Sequence, residues 1–191
     1  ESSKWNAAVQ LIYQQETGSG GVSEETFRYM DKGAKALTYG SKLAYSNGSS
    51  TLILAYNRIT PTGRYLMPRE WGRDAFFTFM PRERNDGYGD VHAVTLQWAQ
   101  NFVNQRCKLS ITGGYFDLPD VKNVALNKYG MPSYAQANVD VRYRFAGWFK
   151  GLEGQVLYVH KWKLGENHGN DKFVYNKVDM SLLNVVLNFY F

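Results

Sequence analysis

The chain has a single cysteine, Cys107, so no disulfide can form within it. Cys107 opens a predicted strand, where a small apolar residue serves a structural role. Only three histidines are present, His92, His160 and His168, too scattered for metal-ligand spacing and without an HExxH pair. No Gly-x-Ser-x-Gly accompanies them. A Ser and a His on neighbouring strands of a membrane-embedded barrel can make a hydrolase pair, but no nucleophile context supports one here. The sequence therefore reads as that of a non-enzyme with no cofactor. Long apolar runs are also missing: the longest covers residues 52–56, far short of the roughly 18 to 20 residues of a membrane helix. Helical spans are excluded. No charged n-region or apolar h-region opens the chain at Glu1, so the polypeptide reads as mature or truncated.

What is present argues for a folded protein. Of 191 residues, 44% are hydrophobic and 16% aromatic, too apolar for disorder. The formal net charge is +5, but the Lys and Arg are dispersed and no nucleic-acid-binding motif occurs, so nucleic acid is not a predicted partner. A mean hydropathy of -0.43 does not separate a soluble β protein from a membrane barrel, because barrel strands turn only every second residue to lipid. Patterning has to decide.

Alternating segments are predicted as strands over residues 4–15, 34–46, 50–60, 90–102, 107–117, 134–146, 151–164 and 177–191. Their connections alternate in length. Short ones fall at 46–49, 104–106 and 147–150, and long ones at 16–33, 61–89, 118–133 and 165–176. Short turns at one end and long loops at the other are typical of outer-membrane barrels. All five prolines (Pro61, Pro68, Pro81, Pro119, Pro132) fall in the long loops, as expected of a residue that cannot donate to a ladder.

In the clearest strand Ala135, Ala137, Val139, Val141, Tyr143 and Phe145 alternate with Tyr134, Gln136, Asn138, Asp140, Arg142 and Arg144. A lipid-facing Arg or Lys at the midplane costs about 2 to 4 kcal/mol, so the charged parity is assigned inward. The same rule in the last strand puts Leu183, Val185, Leu187, Phe189 and Phe191 outward, with Ser181 the polar exception. Trp5, Tyr13, Tyr45, Tyr56, Trp98, Tyr158 and Trp162 lie mostly near strand ends, at headgroup level. Outward Lys35, Arg58 and His160 belong to the external rim, where long side chains snorkel. The inward parity carries Lys42, Lys108, Arg142, Arg144, Lys161 and Lys163 against Asp140 and Glu153, six cations to two anions. A water-filled passage lined in this way concentrates anions. Guanidinium groups also grip carboxylates in a bidentate manner. Inward Ile12, Ile53, Leu157, Val159, Leu182 and Val186 require either a packed narrow interior or a loop that covers them.

The loop at 61–89 interleaves five arginines (Arg64, Arg69, Arg73, Arg82, Arg84) with Glu70, Asp74, Glu83 and Asp86 and the aromatics Trp71, Phe76, Phe77 and Phe79. Aromatics need burial and charges need partners, so this loop is expected inside the barrel mouth, with some arginines paired to its acids. Arg69, Arg73, Arg82 and Arg84 are candidate carboxylate contacts.

The stretch PREWGRD...FFTFMPRERN...GDVHA resembles the corresponding region of OprD-type outer-membrane porins, most distinctly through residues 61–94. The resemblance implies an all-β, antiparallel transmembrane β-barrel of about eighteen strands. In such a monomeric porin infolded loops and a basic ladder pass amino acids, small peptides or aromatic acids. It also implies that this chain, with about eight strands, is the C-terminal half, its loop at 61–89 the seventh external loop, and Phe191 similar to a terminal assembly signal. Expected partners are outer-membrane lipid, small anionic or zwitterionic solutes, and the N-terminal half of the barrel. Two other architectures fit parts of the sequence: a self-closed eight-stranded outer-membrane protein of structural or adhesive role, and a soluble ligand-binding barrel. The second requires the reverse polarity of residues 134–146.

Overall fold

A computed structural model describes residues 3–18, 32–67, 74–102 and 104–191. Eight strands follow one another: β1 Lys4–Gln15, β2 Lys35–Asn47, β3 Ser50–Ile59, β4 Val91–Phe102, β5 Cys107–Asp117, β6 Tyr134–Arg144, β7 Leu152–Lys163 and β8 Met180–Phe189. Each is antiparallel to its sequence neighbour in one sheet of order β1 to β8. The edges β1 and β8 do not pair with each other and the sheet is open. The self-closed barrel is therefore not what this chain forms here.

The alternation read from the sequence is the polarity of the sheet. Directly opposed residues share a face, so the register links Ile12 to Thr38, Thr38 to Ile59 and Ile59 to Val91. It also links Ala93 to Phe116, Phe116 to Tyr134 and Tyr134 to Lys163. On this inward face Thr38, Asn57, Thr95, Ser110, Gln136 and Asn138 are buried. The opposite face exposes Val9, Leu43, Leu54, Leu96, Ile111, Val156 and Val185. Apolar outside and polar inside is the inverse of a water-soluble barrel. Aromatic rings flank the aliphatic zone, with Trp5, Tyr45, Trp98 and Tyr143 toward the short turns and Tyr13, Tyr39, Tyr115 and Trp162 toward the long loops. Lipid headgroups favour rings at those two levels.

Strand ends depart from the alternation where the backbone turns. β8 starts at Met180 rather than 177, because Asp179 takes a left-handed conformation (φ 50°) and its carboxylate accepts the Lys163 amide at 2.6 Å. β6 stops at Arg144, ahead of a short 3-10 turn at Gly147–Phe149 bracketed by Gly147 and Gly151, both at positive φ.

Candidate functional site

The long connection between β3 and β4 does not extend away from the sheet. Its stem is stitched by Tyr65 N–H to Tyr88 O and Gly87 N–H to Tyr65 O, both 2.8 Å. The loop between β5 and β6 adds a further rung, with Gly89 N–H donating to Leu126 O at 2.8 Å. Beyond the stem, residues 74–83 cross the inward face of the sheet. Phe76 packs on Tyr65 with ring centroids 4.7 Å apart. Together with Met80 and Tyr88 these rings form one cluster with inward Ile59, Val91, Ala93, Phe116 and Tyr134. Gly114 leaves the space that Met80 needs, since a Cβ there would lie 2.6 Å from its sulfur.

Polar side chains of four strands hold this segment. On β1, Gln10 Nε2 donates to Ala75 O at 3.0 Å, and the Gln14 amide both donates to Leu66 O and accepts from Leu66 N–H. Lys42 on β2 places its ammonium 5.0 Å from the Phe77 ring centroid. On β6, Gln136 Nε2 and Asn138 Nδ2 both donate to Pro81 O, at 2.7 and 3.1 Å. Lys161 on β7 donates to Arg82 O at 2.6 Å. The segment thus reaches from β1 across to β7. It also covers Leu157 and Val159, which are buried, and packs against Ile12.

Among the described loop acids, Asp86 meets an arginine as expected and also a backbone amide, whereas Asp74 meets a backbone amide. Asp74 accepts the Asn85 amide at 2.7 Å, and Asp86 accepts the Met67 amide at 2.8 Å. Among the described residues only Arg84 pairs within the loop, with Asp86 at 3.3 Å. Glu83 is buried and forms no ion pair among the described residues. Burial, reinforced by the Asp74 charge, pushes the Glu83 carboxyl well above its ordinary value of 4.5, against the opposing pull of a backbone hydrogen bond at Met80 and of Lys161. Burial also raises Asp74. A raised carboxyl stabilises the seated loop fully below the unfolded value, and that contribution is lost as pH climbs through the raised one. The protection factors of residues 74–88, with the intrinsic base-catalysed pH dependence of exchange divided out, should therefore fall as pH rises above the ordinary carboxyl range. Glu83→Gln should flatten most of that dependence, leaving the smaller share of Asp74; an unchanged profile would assign it to another group.

The cations singled out in the sequence divide into groups. Arg142 pairs with Asp140 at 3.1 Å, and Gln155 donates to the same carboxylate at 2.9 Å. Arg144 pairs with Glu153 at 3.0 Å. Lys108 is exposed and shares with Arg142 the lining of two clefts. One, of about 350 Å³, lies between Phe79 and Pro81 of the loop and Gln97, Ser110 and Asn138 of the wall. The other, of about 310 Å³, brings Arg106, Lys108, Arg142 and Arg144 together beside Glu153 at the short-turn end. Lys161 is buried beneath the loop, so it positions Arg82 rather than lining open space. Lys163 reaches Asn167 at 3.4 Å. Arg82 and Arg84 are exposed and alternate with buried Glu83 and Asn85. Arg69 and Arg73 lie outside the described residues.

Solved structures with this arrangement exist. Over 99% of this chain and 48% of the other, the fold matches OccK10 (OpdN) of Pseudomonas aeruginosa with a TM-score of 0.72 and 13% identity. OccK5 (OpdH) of the same organism matches over 84% of this chain and 41% of its own, with a TM-score of 0.66 and 15% identity. Both are β-barrel porins of the OprD family. This chain has the porin-barrel fold. It spans about half the length of the solved structures it matches. No family model matches the chain, and no curated protein does.

On this porin-type sheet, several positions escaped the sequence reading. Gln10, Gln14, Gln136 and Asn138 looked like ordinary inward polar residues; their shared parity was visible, but their common partner, the loop backbone, was not. Arg106 sits in a short turn and joins the inward cations only through its cleft. On the outward face, β7 and β8 register His160 against Ser181, with Nδ1 and Oγ 2.7 Å apart. Tyr158 shares Ser181 at 3.2 Å. Among the described residues no carboxylate orients this histidine, and the three groups satisfy one another's polar atoms on an apolar surface.

Proposed function

We propose that this chain is part of an outer-membrane porin that lets small carboxylate-bearing solutes, such as amino acids, short peptides or aromatic acids, diffuse passively through a positively charged lumen. The observation that carries the reading is the loop lying across the polar inward face, which leaves a remaining space bordered by Lys108, Arg142 and Arg144. Ion pairing consumes both inward strand acids, Asp140 and Glu153, so cations stay in excess there. The porin fold and the inverted polarity support a place in the bacterial outer membrane, with the outward face against lipid. Further strands close the sheet between β8 and β1, as the open edges and the half-length match to larger barrels suggest. Solute then passes between the loop and the wall, and the exposed guanidinium groups of Arg142 and Arg144 offer two donors each to a carboxylate.

The assembled barrel purified from membranes tests this. Reconstituted into liposomes, it should admit monocarboxylates and amino acids faster than amines of equal size. Vesicles that stay tight to all of them, or that prefer amines, would overturn the reading.

A further inference from the structure

At the long-loop end, three connections meet around a cleft of about 560 Å³ whose lining includes Lys32, Lys35, Arg64 and Asn123. None of the residues lining it is an Asp or Glu. Among the described residues neither lysine nor Arg64 forms an ion pair. Among the described residues Glu16 is close by, its carboxylate accepting the Gly33 amide at 3.0 Å, so the three cations of the lining face no acid of the lining itself. The floor of the cleft is rigid. Gly63 presses so closely on the Lys35 carbonyl that a Cβ would collide with it, and Gly89 lies equally close beneath Gly63. Thr60 N–H to Leu37 O, at 2.9 Å, ties the start of the β3–β4 connection to β2. Cations held on such a frame are positioned before a ligand arrives, which lowers the ordering cost of binding.

We propose that this cleft is a phosphate-binding site, filled by a phosphorylated lipid headgroup of the outer leaflet. The inference rests on the outer-membrane reading, which makes the long-loop end external. Three cations suit a phosphate better than a carboxylate, because a phosphomonoester carries up to two charges and three acceptor oxygens. Arg64 supplies a planar fork and the lysines supply point charges. Lipid is favoured over a solute in transit by parity. Lys35 is exposed and shares its face with Leu37 and Tyr39, the outward face, whereas a solute in the passage meets the inward one.

The assembled barrel, purified from membranes into dodecyl maltoside micelles at low salt, provides the test, with bisphosphorylated lipid A, its dephosphorylated form and inorganic phosphate as probes. The phosphorylated lipid should bind about tenfold or more tightly than the dephosphorylated one, consistent with several charge-assisted contacts. The variant Lys32→Gln/Lys35→Gln/Arg64→Gln should lose that difference while keeping its strand circular dichroism. Lys4→Gln/Lys150→Gln, at the other end of the sheet, should retain it. Equal binding of both lipids, or no change in the triple variant, overturns the site. Binding of inorganic phosphate as tight as that of the lipid overturns the lipid assignment and makes a soluble phosphate ester the ligand. Conductance separates this inference from the porin reading: a conducting barrel blind to lipid phosphate defeats the site alone, and a phosphate-binding barrel that conducts nothing defeats the porin.

Discussion

Replacing residues 66–86 by a short Gly-Ser linker should raise the single-channel conductance of the closed barrel severalfold and erase most of its discrimination among carboxylates. The segment spans the inward face from Gln10 and Gln14 on β1 to Lys161 on β7, so its removal widens the passage across most of the sheet. The same deletion should lower thermal stability. Phe76 and Met80 are buried against the wall, and each such side chain contributes about 2 kcal/mol. Gln136, Asn138 and Lys161 would also lose their carbonyl partners, although water in the widened lumen can replace them. A rise in conductance together with a fall in melting temperature is the expected signature. Unchanged conductance would place the loop outside the pore, with a surface role only.

The second large effect concerns charge. Lys108→Gln/Arg142→Gln/Arg144→Gln should move the reversal potential under a salt gradient strongly toward cation selectivity. The inward strand face carries six basic side chains against Asp140 and Glu153, and three of the six disappear in this variant. Asp140 and Glu153 lose their arginine partners at the same time, so two uncompensated carboxylates face the space the cations had filled. At about 0.1 M salt the screening length is about 10 Å, and at about 1 M it is near 3 Å. The shift should therefore be larger in dilute salt. Lys161→Gln is the informative contrast. That ammonium is buried and bonded to Arg82 O, so its loss should alter loop seating and conductance noise more than ion selectivity. A reversal potential that does not respond to the triple change would mean that these residues do not face the conducting path.

The strands, the division into long and short connections and the two faces of the sheet were legible in the amino-acid order. Period-two alternation is a local consequence of lipid on one side and water on the other, and a residue such as Arg142 between Val141 and Tyr143 has only one tolerable face. The burial of the loop at 61–89 was visible as chemistry, because Phe76 and Phe79 need cover. Its path was not. Which strands it touches depends on strand order and register, which no window of the chain contains: Gln14 and Leu66 meet across 52 residues, Lys161 and Arg82 across 79. The pairing of Arg144 with Glu153 likewise follows from their being opposite one another in the β6 and β7 ladder. Pairing of the loop acids with arginines holds for Asp86, which meets Arg84, but not for Asp74 or Glu83 among the described residues. A tightly turned loop points its own amides inward, so Asp74 and Asp86 are met by the backbone N–H groups of Asn85 and Met67, while burial pushes the Glu83 carboxyl upward. Composition lists which charges exist; only the folded backbone supplies amides to meet them.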